Sequence, residues 1–163
     1  STTMALAIGD ALAVALVVRS GFTGIDFRLL HPGGSLGARL RTVGDLMHGA
    51  EGMPLVDAAT PMAEALLIMT AKSFGCVGVA GADGALIGIV TDGDLRRHMA
   101  PELLTMVAGD VMTPDPKVIG SKHLAAEALW VMSTRKISSL FVVENGLPVG
   151  ILHLHDCLRA GIA

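Results

Sequence analysis

Apolar positions recur along this chain in two spacings, one helical and one alternating, and the two spacings take turns. A nearly unbroken apolar run, Met4 to Val18, comes first. Further on, Pro61 opens a helix at its first position, and Ala65, Leu66, Met69 and Thr70 form a stripe that runs to about Lys72. Short β-type runs follow at Cys76 to Ala80 and Leu86 to Thr91, separated by the turn Gly81-Ala82-Asp83-Gly84. A helix is then predicted from Asp92 to about Met99.

The same cycle occurs again. A helix is predicted from about Leu124 to Arg135, then a strand from Leu140 to Val143. The turn Glu144-Asn145-Gly146 contains an Asn-Gly pair that favours a tight hairpin, a strand runs from Val149 to Leu154, and a last helix lies around Asp156 to Arg159. The landmarks match residue by residue. Asp45-Leu46-Met47 returns as Asp110-Val111-Met112, and Ala63-Glu64-Ala65-Leu66 as Ala126-Glu127-Ala128-Leu129. Gly88-Ile89-Val90 with Asp94 returns as Gly150-Ile151-Leu152 with Asp156. Their order is kept at offsets of roughly 62–65 residues, the signature of an internal duplication. The predicted class is α+β, two β-α-β-β-α units related by pseudo-two-fold symmetry, because a unit of about 60 residues buries its sheet poorly alone.

Four segments follow: a helical tail and linker over residues 1–42, repeat 1 over 43–100, a linker over 101–109 and repeat 2 over 110–163. The Met4 to Val18 run lacks a basic leader, is interrupted by Asp10 and falls short of a bilayer span, so it reads as a buried amphipathic helix. A start at Ser1-Thr2-Thr3 reads as the interior of a longer protein. After it come a turn at Gly21 to Gly24, a short helix near Asp26 to Leu30 and the loop His31-Pro32-Gly33-Gly34-Ser35-Leu36-Gly37.

Composition narrows the function classes. Hydrophobic residues are 52% and charged residues 17%, which excludes a disordered chain. Aromatics are 3% and the net charge is −3, so no basic stripe or stacking platform exists for nucleic acid. So apolar a chain with so few charges points to oligomerisation. Cys76 and Cys157 stand far apart and form no Cys-x-x-Cys clip, the pattern of buried free thiols in a reducing cytoplasm.

The candidate chemistry sits where the glycine-led strands enter helices. Thr91-Asp92-Gly93-Asp94 can present backbone N–H groups, a hydroxyl and a carboxylate to an anionic, hydroxylated ligand. It can equally be a capping box that needs no ligand. In the second copy His153 replaces the threonine, His155 replaces Gly93, and Asp156 keeps the Asp94 position. A histidine is not expected to reproduce a hydroxyl cap. The two rings, at i and i+2 on a strand, should face one way, towards a cleft, a ligand or the surface. No third strong ligand stands nearby, so no metal site is assigned. Arg97 can reach a carboxylate or phosphate, with Arg96 the blander of the pair. Gly75-Cys76 and Ser138-Ser139 hold matching places at the mouths of the strands, leaving room for a base or sugar, or simply for close backbone approach. Met53 and Leu55 are candidates for an apolar wall against a base, with core packing the competing reading.

From about Thr42 onward these landmarks resemble tandem cystathionine-β-synthase-type (CBS) repeats, whose signature is a glycine-led strand ending in Thr-x-x-Asp, here Gly88-Ile89-Val90-Thr91-Asp92-Gly93-Asp94. The His31 to Gly37 loop, Thr91 to Arg97 and His153-Leu154-His155-Asp156 resemble the bacterial arabinose-5-phosphate isomerases, which place a sugar-isomerase (SIS) domain before a CBS pair. The resemblance implies that residues 1–42 are the tail of that SIS domain and that His31 serves catalysis in the parent enzyme. It also implies a pathway leading to the sugar acid Kdo. Without the rest of the SIS domain no isomerase activity is expected of this chain. The expected partners are its own SIS domain, further copies of itself, and a nucleotide-type effector in the inter-repeat cleft: AMP, ATP or CMP-activated Kdo. In that reading Asp94 takes the ribose hydroxyls and Thr91 a phosphate. A purely structural assembly role is the competing expectation, and no cofactor, nucleic acid or membrane partner is expected.

Overall fold

A computed structural model describes residues 1–24, 26 and 40–162. Of the predicted helix near Asp26 to Leu30 only Asp26 is among the described residues, and the loop from His31 to Gly37, His31 included, lies wholly outside them. The chain divides into two compact units, residues 1–40 and 41–163.

In the first unit helix α1 covers Thr2–Ser20 and ends at Gly21, whose φ of 63° supplies the left-handed turn that glycine adopts without strain. The reading as a short, amphipathic helix is corrected, and none of its residues is buried within this chain. Leu6, Ile8, Leu12, Leu16 and Val18 point around the whole circumference and are all exposed. At 19 residues the helix is long and apolar enough to cross a membrane by length and composition, a test that core helices of larger proteins also pass.

The second unit carries the duplication. Strand β1 (Leu55–Asp57), helix α2 (Met62–Lys72), strands β2 (Cys76–Ala80) and β3 (Leu86–Thr91) and helix α3 (Asp92–Arg97) form the first repeat. A 3-10 turn at Pro101–Thr105, the short helix α4 (Ala108–Val111) and strand β4 (Thr113–Pro114) lead onward. Strand β5 (Val118–Ile119), helix α5 (Ala125–Arg135), strands β6 (Ser139–Glu144) and β7 (Leu147–His153) and helix α6 (Leu154–Arg159) form the second. The sheets are ordered β1-β2-β3-β4 and β5-β6-β7, with a parallel first pair and an antiparallel second pair in each. Pro61 caps α2 from outside rather than opening it, and the buried face is Met62, Ala65 and Met69. Thr70, predicted in the stripe, is exposed and hydrogen-bonds the Leu66 carbonyl at 2.8 Å. Asn145 and Gly146, with φ of 51° and 84°, make the two-residue hairpin turn between β6 and β7.

The two sheets meet through a shared core of Met53, Phe74, Cys76, Phe141 and Ile151. Phe141 is 1% exposed, and its ring lies over Gly78 of β2, where an added Cβ would come within 2.7 Å of Cζ. The segment leading into each repeat completes the opposite sheet. Thr113 and Pro114 pair with Ile89 and Gly88 of the first sheet, while His48 and Ile151 of the second exchange backbone hydrogen bonds at 2.8 and 2.9 Å. The duplicated methionines follow: Met112 covers Gly88, and Met47 covers Gly150.

Gly78→Ala is expected to destabilise this unit by about 1–3 kcal/mol, because a stiff ring and the Leu86 side chain must both yield. Gly49→Ala, where a Cβ meets nothing within 4 Å, should stay within about 0.5 kcal/mol of the parent. Urea unfolding of the two variants checks the contrast, and equal midpoints would contradict it.

Candidate ligand site

The strand-to-helix junction at Thr91 places the first group of polar side chains. Thr91 ends β3 in an extended conformation and caps α3, with its Oγ1 accepting from the Asp94 N–H at 3.3 Å. Asp94 answers through Oδ2, which accepts from the Thr91 N–H at 2.8 Å and from the Thr91 hydroxyl at 2.5 Å. Its other oxygen, Oδ1, accepts from Thr113 Oγ1 at 2.6 Å and from the Arg97 guanidinium. Asp94 is 2% exposed, and a carboxylate in so dry a place requires these partners. Burial pushes its pKa up, but hydrogen bonds from Thr113 and Thr91 and the Arg97 charge outweigh that and hold it below the usual carboxylate value. The capping alternative is therefore present in full: the Thr91 proton and both Asp94 oxygens are engaged within the chain.

Above this junction opens a cleft of about 530 Å³ between the repeats. It gathers eight of the residues singled out from the sequence: Gly75, Cys76, Thr91, Asp92, Asp94, Arg97, Ser138 and Ser139. Burial pushes the Cys76 thiol up to about 12, so it is a small neutral wall group and no nucleophile. Sequence reasoning missed the other polar lining, Thr113, Asp115, Lys117 and Lys136. Lys136 stands at the left-handed end of α5 with φ of 56°, the place Ser73 holds at the end of α2 with φ of 59°. With Arg96 and Arg97 the two lysines put four cations around the cleft against Asp92, Asp94 and Asp115. A basic run at Arg135-Lys136 reads from sequence as a helix C-terminus, so it gave no hint of a binding role.

Two groups of predicted residues do not line this cleft. Met53 is 9% exposed in the inter-sheet core and Leu55 packs against that core, so neither forms a wall for a base there. His153, His155 and Asp156 belong to the pseudo-equivalent junction of the second repeat, where β7 enters α6. The expectation that histidine cannot replace the hydroxyl cap is corrected. His153 Nδ1 accepts from the His155 N–H at 3.1 Å, and Asp156 Oδ2 accepts from the His153 N–H at 3.1 Å. Nδ1 branches from Cγ as an asparagine side-chain oxygen does, so it reaches the helix N–H groups like an Asn cap. His155 is helical rather than on the strand, and its ring stacks on His153 at 5.0 Å. His48 Nε2 lies 3.0 Å from Asp156 Oδ2. Among the described residues no group of three or more His, Cys, Asp or Glu side chains has a metal-holding arrangement.

The chain belongs to the CBS-domain family, whose model matches residues 43–101 and 108–163. Its relatives narrow the likeness further. It is 46% identical to the arabinose 5-phosphate isomerase KdsD of Pseudomonas aeruginosa, over 99% of this chain and 51% of that protein. Identity to KdsD of Escherichia coli is 43%, over 99% of this chain and 50% of that protein. The chain thus spans about half the length of the curated relatives it matches. Among solved structures, CBSX2 in complex with AMP superposes with a TM-score of 0.65 at 28% identity, covering 74% of this chain and 96% of that one.

The His153 cap has a pH signature. Burial, the neighbouring His155, Arg159 and His48 lower the His153 pKa against the opposing pull of Asp156. The folded state thus favours neutral imidazole, and the unfolded chain binds the proton more readily. Stability from this group is present above the ordinary histidine pKa and is lost as pH falls below it. Melting temperature should therefore decline from pH 7.5 to pH 5, and less steeply in His153→Asn, which keeps an acceptor that does not titrate. An unchanged slope would contradict this.

Proposed function

We propose that residues 41–163 form a ligand-sensing regulatory module of an arabinose 5-phosphate isomerase, binding a nucleotide-type metabolite in the cleft between the repeats. The observation that carries this reading is the cleft itself: about 530 Å³, floored by the Thr91–Asp94 junction and flanked by cations from both repeats. Such a cleft suits a sugar bearing hydroxyls and an anionic group, with small walls at Gly75, Cys76, Ser138 and Ser139 for a base. CBSX2 carries AMP on the same fold, which supports an adenine nucleotide. The likeness to KdsD supports CMP-activated Kdo, whose carboxylate would add an anion for Arg97, Lys117 or Lys136. Binding at the seam between repeats would favour one arrangement of the pair over another and so bias an attached catalytic domain. The aldose–ketose isomerisation would then lie in the SIS domain, with His31 contributing to it and this chain regulatory rather than catalytic. The likeness to KdsD runs through α1, which supports placing that apolar helix in the SIS domain's interior, in a cytoplasmic enzyme.

One observation favours assembly as a second role. Leu67 on α2 and Trp130 on α5 hold equivalent places in the two repeats, and they are 72% and 66% exposed. Two copies meeting through these helices would cover both.

A thermal-shift panel of AMP, ATP, CMP and CMP-activated Kdo tests the sensor reading. A binder present at about a hundred times its Kd should stabilise by about 2.7 kcal/mol, and Asp94→Ala should abolish the shift. No shift with any of the four would leave assembly as the role. That role is tested by light scattering, where Leu67→Glu with Trp130→Glu should convert a dimer to a monomer.

A further inference from the structure

The Thr91 junction has a pseudo-equivalent at His153, and the two are built from different side chains. The equivalences are fixed by backbone pairing: Cys76 pairs with Thr91 across β2 and β3, and Ser139 pairs with His153 across β6 and β7. Around the carboxylate at each junction the same contacts recur. Asp94 takes Thr113 and Arg97, and Asp156 takes His48 at 3.0 Å with Arg159 at 3.9 Å. His48 and Thr113 each follow a duplicated methionine and are each delivered from the other repeat's leading segment. Both threonines of the first junction are thus imidazoles at the second. The residue two before each strand differs as well: Ile137 lines the open cleft, whereas Phe74 is 9% exposed. The Phe74 ring sits edge-on to His48 at 5.2 Å and 6.1 Å from His153, and its carbonyl accepts from Ser139 Oγ at 3.1 Å.

We infer that this CBS pair is a one-site binder: Phe74 and the imidazoles of His48 and His153 occupy the second junction, so only the Thr91–Asp94 cleft takes ligand. The cause is steric. A ring occupies the place of an aliphatic side chain, and two imidazoles stand where the first junction has the smaller side chains of Thr91 and Thr113. The inference rests on the nucleotide reading of the open cleft.

Isothermal titration of the chain with AMP and with CMP is the test, alongside Asp94→Asn and Asp156→Asn, with circular dichroism confirming that each is folded. The expected result is one ligand per chain, an affinity at least tenfold weaker in Asp94→Asn, and an affinity within threefold of the parent in Asp156→Asn. Two ligands per chain, or binding abolished by Asp156→Asn alone, would overturn it. Should neither probe bind the parent chain, the nucleotide reading fails by itself. The filled junction is then judged by nuclear Overhauser contacts from the Phe74 ring to the His48 and His153 rings, whose absence would overturn it too.

Discussion

The structure depends on the exchange of leading segments between the repeats. His48 hydrogen-bonds to Ile151 in the second sheet, and Thr113 and Pro114 pair with Ile89 and Gly88 in the first. Neither repeat holds its full sheet edge alone, and neither holds its full polar junction. Thr113 reaches Asp94 only because β4 crosses to β3, and His48 reaches Asp156 only because residue 48 crosses to β7. The glycines at 88 and 150 make the crossing possible, since a Cβ at either would collide with the incoming segment. Phe141 over Gly78 then sets how closely the two sheets approach. The cleft is the consequence: the second repeat reaches it through the crossed segment from Thr113 to Lys117 and, where the sheets pack together, through Lys136 to Ser139.

Much of this was legible in the sequence. The strand bounds Cys76–Ala80 and Leu86–Thr91 were read as they stand, and the predicted ends of α5 and α6 fall within two residues of the observed ones. Duplication helped, because two copies of a weak pattern constrain each other. The exchange itself was not legible. β4 is two residues long and its counterpart at His48 is a single bridge, too short to carry any periodicity. The Asp-x-Met landmarks marked the start of each repeat without disclosing that each methionine packs across the pair. The α1 error had a different origin. An apolar run interrupted by one Asp and one Gly suggests a polar side, but the helix it forms has no polar face.

At the site, the sequence disclosed the parts and concealed their allegiance. Thr-x-x-Asp was legible both as a ligand junction and as a helix cap, and the structure forms the cap in both copies. His153 was misread because a cap was equated with a hydroxyl, whereas any acceptor two bonds from Cβ can reach the first-turn N–H groups. Lys117 went unseen because it reaches the cleft only through the crossed segment, and Lys136 because it reads as an ordinary basic helix end. Met53 and Leu55 sit near the seam in sequence but face the inter-sheet core, which claims apolar side chains before a cleft can.

The hydrogen bonding of Asp94 constrains what any ligand of this cleft can do. A carboxylate offers about four lone-pair positions, and here the Thr91 N–H, the Thr91 hydroxyl, the Thr113 hydroxyl and the Arg97 guanidinium each use one. A hydroxyl arriving at Asp94 must replace a donor rather than join the set, so its net gain is a difference between two hydrogen bonds. The Thr91 donors are tied to the cap and Thr113 to the crossed strand, whereas the Arg97 side chain is 63% exposed. Arg97 is therefore the least costly donor to displace, and once displaced it is a free cation at the mouth of a cleft already lined by Lys117 and Lys136. Such an exchange favours ligands carrying a hydroxylated sugar and an anion together over those carrying either alone, because only the pair returns a partner to every charge it disturbs.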